Sequence, residues 1–113
     1  MKEIKAIIQP FMLTKVVTAL YKIEGLPGMT ISEIKGFGRT RGKKEKEVSD
    51  EGVYEFVPKV KIEIVVLDEI AEQIVDTIQQ NAHTGNTGDG KIFVVDVENV
   101  VKIRTNERGE SAI

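Results

Sequence analysis

Apolar residues recur along this chain with two periods, and the switches between them mark its elements. Residues 3–9 read as a short strand that Pro10 stops. Leu13, Val16, Val17, Leu20 and Ile23 then recur at helical spacing and predict an amphipathic helix over 12–23. Gly25, Pro27 and Gly28 end it and turn the chain into a second strand over 29–36. Val60, Ile62, Ile64 and Val66 fall on every second position, which predicts a strand with one buried face. Asp68 reads as the N-cap of a second helix, whose core stripe is Ile70, Ala71, Ile74, Val75, Ile78 and Ala82. Ile92 to Val97 is a fourth strand, Val100 to Arg104 a short fifth, and 106–113 a polar tail. The resulting order, β-α-β-β-α-β, predicts a ferredoxin-like α+β sandwich: an antiparallel sheet with both helices on one face. The other face has no helix to cover it. The many Ile and Val residues on the strands lead us to expect that it packs against another subunit.

Two segments break the pattern. Residues 38–57 open with almost no apolar content; five basic and four acidic side chains lie between Arg39 and Glu51. Such a segment buries too little apolar surface to offset its ordering entropy, so a long, functional loop is expected there. The second is His83-Thr84-Gly85-Asn86-Thr87-Gly88-Asp89-Gly90-Lys91, between the second helix and the strand after it. Glycines let a backbone turn sharply and aim several N–H groups into one concavity, and a terminal lysine adds a mobile positive charge. A connector with glycines at left-handed positions accounts for the same residues; an anion cradle is the more specific reading. It is not a Walker motif: Gly85 and Gly90 are correctly spaced before Lys91, but Ile92 stands where a magnesium-binding hydroxyl is needed.

Composition narrows the chemistry. The 113 residues fit one domain, 1–113, and 41% hydrophobic content is ordinary for a globular chain. There is no cysteine, so disulfides, thiol catalysis and thiolate metal sites are excluded. One histidine cannot make a histidine-based zinc site without carboxylates. A net charge of −2 argues against a dedicated nucleic-acid binder. No apolar run approaches the roughly 20 residues of a membrane span. The N-terminus lacks the apolar core of a secretory signal, so a cytoplasmic location is expected. No Ser-His-Asp set or paired-carboxylate site stands out, so no catalytic residue or metal site is assigned and an enzyme is not expected. Arg39, Arg41, Lys43 and Lys44 form a basic cluster after Gly36-Phe37-Gly38, and Lys102, Arg104 and Arg108 another. Each alone reads as solvated charge. With the glycine loop they suggest one anion site, if strand ends converge or subunits meet.

Several blocks together resemble one family. They are Ile7-Ile8-Gln9-Pro10-Phe11, Gly28-Met29-Thr30, Glu33 to Arg39, Pro58 to Val66, Thr84-Gly85 with Gly88 to Val94, and Ile103-Arg104-Thr105. In register over nearly the whole chain, they are similar to the PII signal-transduction proteins. The resemblance implies a cytoplasmic homotrimer with ATP or ADP in each inter-subunit cleft, with Mg2+ accompanying ATP. It implies regulation of a partner, a membrane transporter or a metabolic enzyme, through a T-loop at about 38–57. The glycine loop, about 83–91, corresponds to the B-loop, and about 102–113 to the C-terminal loop.

Carried over by position, Thr87, Gly88, Asp89, Gly90 and Lys91 hold phosphates, with Gly38 and Arg39 beside them. Lys102 and Arg104 reach in from a neighbour. Ile7, Thr30, Gly36, Phe37, Glu63 and Val65 line the adenine and ribose. Lys59 retains the lysine that pairs with the distal carboxylate of 2-oxoglutarate. Thr40 stands where many relatives have the glutamine that completes the magnesium site for that acid, so a weak or absent 2-oxoglutarate response is expected. Asn86, Thr87, Arg41 and Lys102 also depart from the usual pattern. The tyrosine uridylylated in some relatives falls at Gly52; Tyr54 is out of register and Ser49 lies one position from a serine phosphorylated in others. This altered loop leaves carbon or metal transport open beside nitrogen control. A slow ATPase in the same cleft would need a group that orients water, and none is evident. An RNA-binding module of this fold would need sheet aromatics, and 5% aromatic content offers few.

Overall fold

The computed structural model describes residues 1–37 and 56–113. Four strands and two helices follow in the order β1 (Lys2–Ile8), α1 (Leu13–Tyr21), β2 (Thr30–Gly36), β3 (Val57–Val66), α2 (Asp68–Ala82) and β4 (Gly90–Asp96). The sheet order is β2-β3-β1-β4 with every pair antiparallel, the split βαβ arrangement expected from the pattern. β1 and β3 are central. Their register runs from Lys2 opposite Val66 to Ile8 opposite Val60. β4 meets the other side of β1 from Lys2 opposite Asp96 to Ile8 opposite Gly90.

Strand alternation divides the sheet cleanly. Ile4, Ala6 and Ile8 of β1 and Val60, Ile62, Ile64 and Val66 of β3 are buried beneath the helices. Val16 and Leu20 of α1 and Ala71, Ile74, Ile78 and Ala82 of α2 complete the core, with Leu13, Ile70 and Val75 packed at its margin. Burying a side chain of this size contributes about 1.5–3 kcal/mol, so the helix face carries most of the stability. The alternate residues face away from the helices: Glu3, Lys5, Ile7, Lys61, Glu63, Val65, Phe93 and Val95. The open face is therefore mixed rather than rich in Ile and Val, because most of those residues belong to the core.

Several boundaries differ from the sequence reading. A 3-10 turn at Pro10–Met12 precedes α1, because proline favours a helix start. Ile23 lies beyond the helix yet is buried in the turn that Gly25 closes at φ +83. Asp68 is the first residue of α2 rather than its cap; Leu67, extended, precedes it, and Asp68 pairs with the N-terminal amine at 2.9 Å. β3 begins at Val57, inside the segment assigned to the long loop. Pro58 is tolerated there because the ladder with β1 reaches only to Val60. β4 begins at Gly90, two residues early. The fifth strand is absent among the described residues. A single bridge, Val101 to Arg108, closes a turn with Asn106 left-handed at φ +66, and the tail ends in a 3-10 turn that buries Ala112. The expected loop core at 38–55, with Ser49 and Tyr54, lies outside the described residues.

Candidate functional site

The glycine loop is tied down at its helix end by one carboxylate. Asp89 Oδ2 accepts the N–H of Thr84 at 2.8 Å and of Gly85 at 2.9 Å, and Oδ1 accepts the Thr84 hydroxyl at 2.5 Å. These bonds, the hydroxyl's foremost, hold the Asp89 carboxyl below its ordinary 3.8, with His83 at 3.8 Å adding a small effect. The side chain of Asp89 thus shapes the loop from within. Gly85, Gly88 and Gly90 take φ of +91, +95 and +103. At Gly90 a side chain is impossible: a Cβ would lie 1.7 Å from the Ile7 carbonyl oxygen.

Beyond Asp89's knot the chain closes a tight turn from Asn86 to Asp89, and the amides of Thr87 and Gly88 have no acceptor among the described residues. Lys59 donates to the Gly88 carbonyl at 2.5 Å, which brings its ammonium onto the loop. The Gln9 amide also abuts Gly88, 3.0 Å from where a Cβ would stand. Lys91 forms no ion pair among the described residues. Two consecutive free amides and two lysines form a local donor-rich surface, suited to a phosphate or carboxylate.

Register places Ile7 beside it and spreads the other nominated residues along the sheet. Ile7 lies between Lys61 and Lys91, Thr30 is opposite Glu63, and Gly36 is opposite Val57. Parity puts Ile7, Thr30, Gly36, Lys59, Glu63, Val65 and Lys91 on the open face, away from the helices. Thr30, Glu63 and Val65 line a cleft of about 360 Å³ with Glu3, Gly28 and Val100. A second cleft of about 420 Å³ lies behind the loop, walled by Ile78 and Ala82 of α2. Phe37 packs edge-on against Phe56, ring centroids 5.9 Å apart, at the two borders of the undescribed segment. Gly38, Arg39 and Thr40 lie outside the described residues.

The structure does not bring Lys102 and Arg104 to this surface within one chain. Lys102 is held at 3.4 Å by Glu107 in its own turn, and Arg104 forms no ion pair among the described residues. The sequence reading omitted Gln9 and the cleft residue Gly28. Alternation could have placed Gln9, which shares the parity of Ile7. No group of three or more His, Cys, Asp or Glu able to hold a metal occurs among the described residues. No described helix is long and apolar enough to cross a membrane.

The chain thus joins a split βαβ domain to a glycine loop that enters the edge strand of its sheet. The comparisons with known proteins sharpen this. The family model described as nitrogen regulatory protein P-II matches residues 1–107. Nitrogen regulatory protein P-II of Azospirillum brasilense is 53% identical over 113 residues, all of both chains. Nitrogen regulatory protein P-II 1 of Escherichia coli K12 is 53% identical over the same full span. The crystal structure of Arabidopsis thaliana PII bound to citrate superposes with a TM-score of 0.80 at 42% identity, covering 99% of this chain and 91% of that one. The chain belongs to the P-II family of nitrogen regulatory signal-transduction proteins.

Proposed function

We propose that this protein is a nucleotide-responsive regulator: a homotrimer that binds ATP or ADP between subunits and acts on a partner protein through the segment around 38–57. The observation that carries the reading is the pair of free amides at Thr87 and Gly88, flanked by Lys59 and Lys91. A polyphosphate supplies the acceptors these donors lack. The base and ribose then extend along the open face over Ile7, Thr30, Glu63 and Val65. Lys102 and Arg104 come from a second copy, which is why one chain leaves them apart from the loop. Bound nucleotide shifts the partner-facing segment between conformations through its differential affinity for them. Magnesium, when bound with ATP, would neutralise phosphate charge; Thr40 stands where many relatives have the glutamine that completes its site. Relatives named as nitrogen regulators support nitrogen control as the pathway. The partner in this proposal is a transporter or a metabolic enzyme, and its place of action the cytoplasm. Among the described residues Phe93 is the one aromatic at an open-face strand position, which leaves little for an RNA base to stack on.

The test is calorimetry with ATP and ADP, alongside mass by light scattering. A trimer that binds both, with affinity lowered at least about tenfold by Lys91→Gln, is the expected result. A monomer, or a protein that binds neither nucleotide, refutes the reading.

A further inference from the structure

The turn that carries Lys102 is built to hold its backbone still while its ammonium is occupied. The Lys102 N–H donates to the Glu107 carbonyl at 2.9 Å, and the Asn106 N–H donates to the Lys102 carbonyl at 2.7 Å. Arg108 clamps the Asn106 side-chain oxygen with two nitrogens, at 3.0 and 3.3 Å. Within this frame Glu107 Oε1 lies 3.4 Å from Lys102 Nζ and accepts the Thr105 hydroxyl at 3.0 Å. Arg104, one residue past the exposed Ile103, has no such acid among the described residues.

We infer that Glu107 is an internal competitor for Lys102: its carboxylate occupies the ammonium that the nucleotide's phosphates need, and so sets how much phosphate charge is required to fill the site. The inference rests on the nucleotide reading above. Lys102 has three donors but one charge, so holding the carboxylate and a phosphate together places two anions on it. The pair is about two-fifths exposed, and such ion pairs are weak. A polyphosphate therefore displaces Glu107, at a cost the free Arg104 does not bear. The consequence is an affinity set below what the same side chains could give.

The test compares ATP binding by calorimetry for wild type, Glu107→Gln, Lys102→Gln and the double variant, at low and high salt. Glutamine keeps an oxygen for the Thr105 hydroxyl, and an unchanged thermal midpoint and trimer mass confirm that the turn is intact. Glu107→Gln is expected to tighten ATP about two- to fivefold at low salt, with a smaller gain at high salt. The gain is expected to shrink sharply when Lys102 is already glutamine. An equal gain in both backgrounds means that Glu107 repels phosphate directly, and overturns the inference. So does unchanged or weaker binding in Glu107→Gln. Loss of all ATP binding in the wild type sinks the nucleotide reading and this inference together, whereas wild-type binding without a Glu107 effect sinks the inference alone.

Discussion

Gly90→Ala is the sharpest perturbation of the loop. An alanine Cβ at this position lies 1.7 Å from the Ile7 carbonyl oxygen and 2.8 Å from its carbon, both backbone atoms in a central strand. No rotamer change relieves that contact; the start of β4 must leave β1. A side chain at φ +103 adds conformational strain of about 1–3 kcal/mol. Opening the end of the ladder forfeits one or two hydrogen bonds worth about 1 kcal/mol each. The sum is a loss of about 2–5 kcal/mol. With a urea slope of about 2 kcal/mol per molar, the midpoint falls by about 1–2.5 M. Two controls calibrate the figure. Gly85→Ala keeps a strained φ of +91 but meets only the His83 ring at 3.9 Å, so it pays strain alone, about 1 kcal/mol. Gly28→Ala has ordinary φ and open space, so it is neutral or stabilising by about 0.4–1 kcal/mol. Urea unfolding at one fixed protomer concentration measures all three, since the proposed assembly would contribute to apparent stability. A Gly90→Ala midpoint no lower than that of Gly85→Ala refutes the close-approach argument.

Three further outcomes follow. The Asp89 carboxyl lies below its ordinary value of 3.8 when folded, so its contribution is fully present above that value and is lost as pH falls through the lower folded one. The amide resonances of Thr84 and Gly85 should therefore hold steady to about pH 4 and shift only below it; a transition at an ordinary carboxylate value contradicts the knot. Ile64→Ala removes a fully buried side chain from the centre of β3 and should cost about 2–5 kcal/mol in the same urea assay, against less than about 1 kcal/mol for Val65→Thr on the open face. Restoring Gln at Thr40 should raise 2-oxoglutarate affinity measured with Mg-ATP present; micromolar affinity already in the wild type would show that threonine suffices.

The helices were legible because their stripes repeat over three or more turns, and every residue named for the α2 stripe packs in or against the core. The strands were legible in kind but not in extent. Gly90 and Lys91 lack strand propensity, and only the ladder with Ile7 and Ile8 makes them strand. Val100 to Arg104 carries strand-like residues, yet Asn106 turns the chain left-handed too soon for a ladder. At the site, alternation correctly puts Ile7, Lys59, Glu63 and Val65 on one face, a property written in the sequence. The Asp89 bonds to Thr84 and Gly85 were not legible, since they depend on how the loop closes over five residues. The capture of Lys102 by Glu107 is likewise a matter of turn geometry that spacing does not announce.

The two faces of β3 have one further meaning, which concerns how such a protein can change over generations. Its even-numbered residues, Val60 to Val66, hold the fold, and its odd-numbered ones, Lys59 to Val65, face the proposed ligand. Substitutions on the odd positions leave the core untouched, so ligand preference is free to drift while the scaffold stays the same. Insertion or deletion of a single residue within the strand has the opposite effect. It exchanges the two sets, turning lysine and glutamate inward and isoleucine outward, so that recognition and stability fail in one step. Lineages of this fold are thus expected to diversify by point replacement within strands, and to vary in length only at the turns.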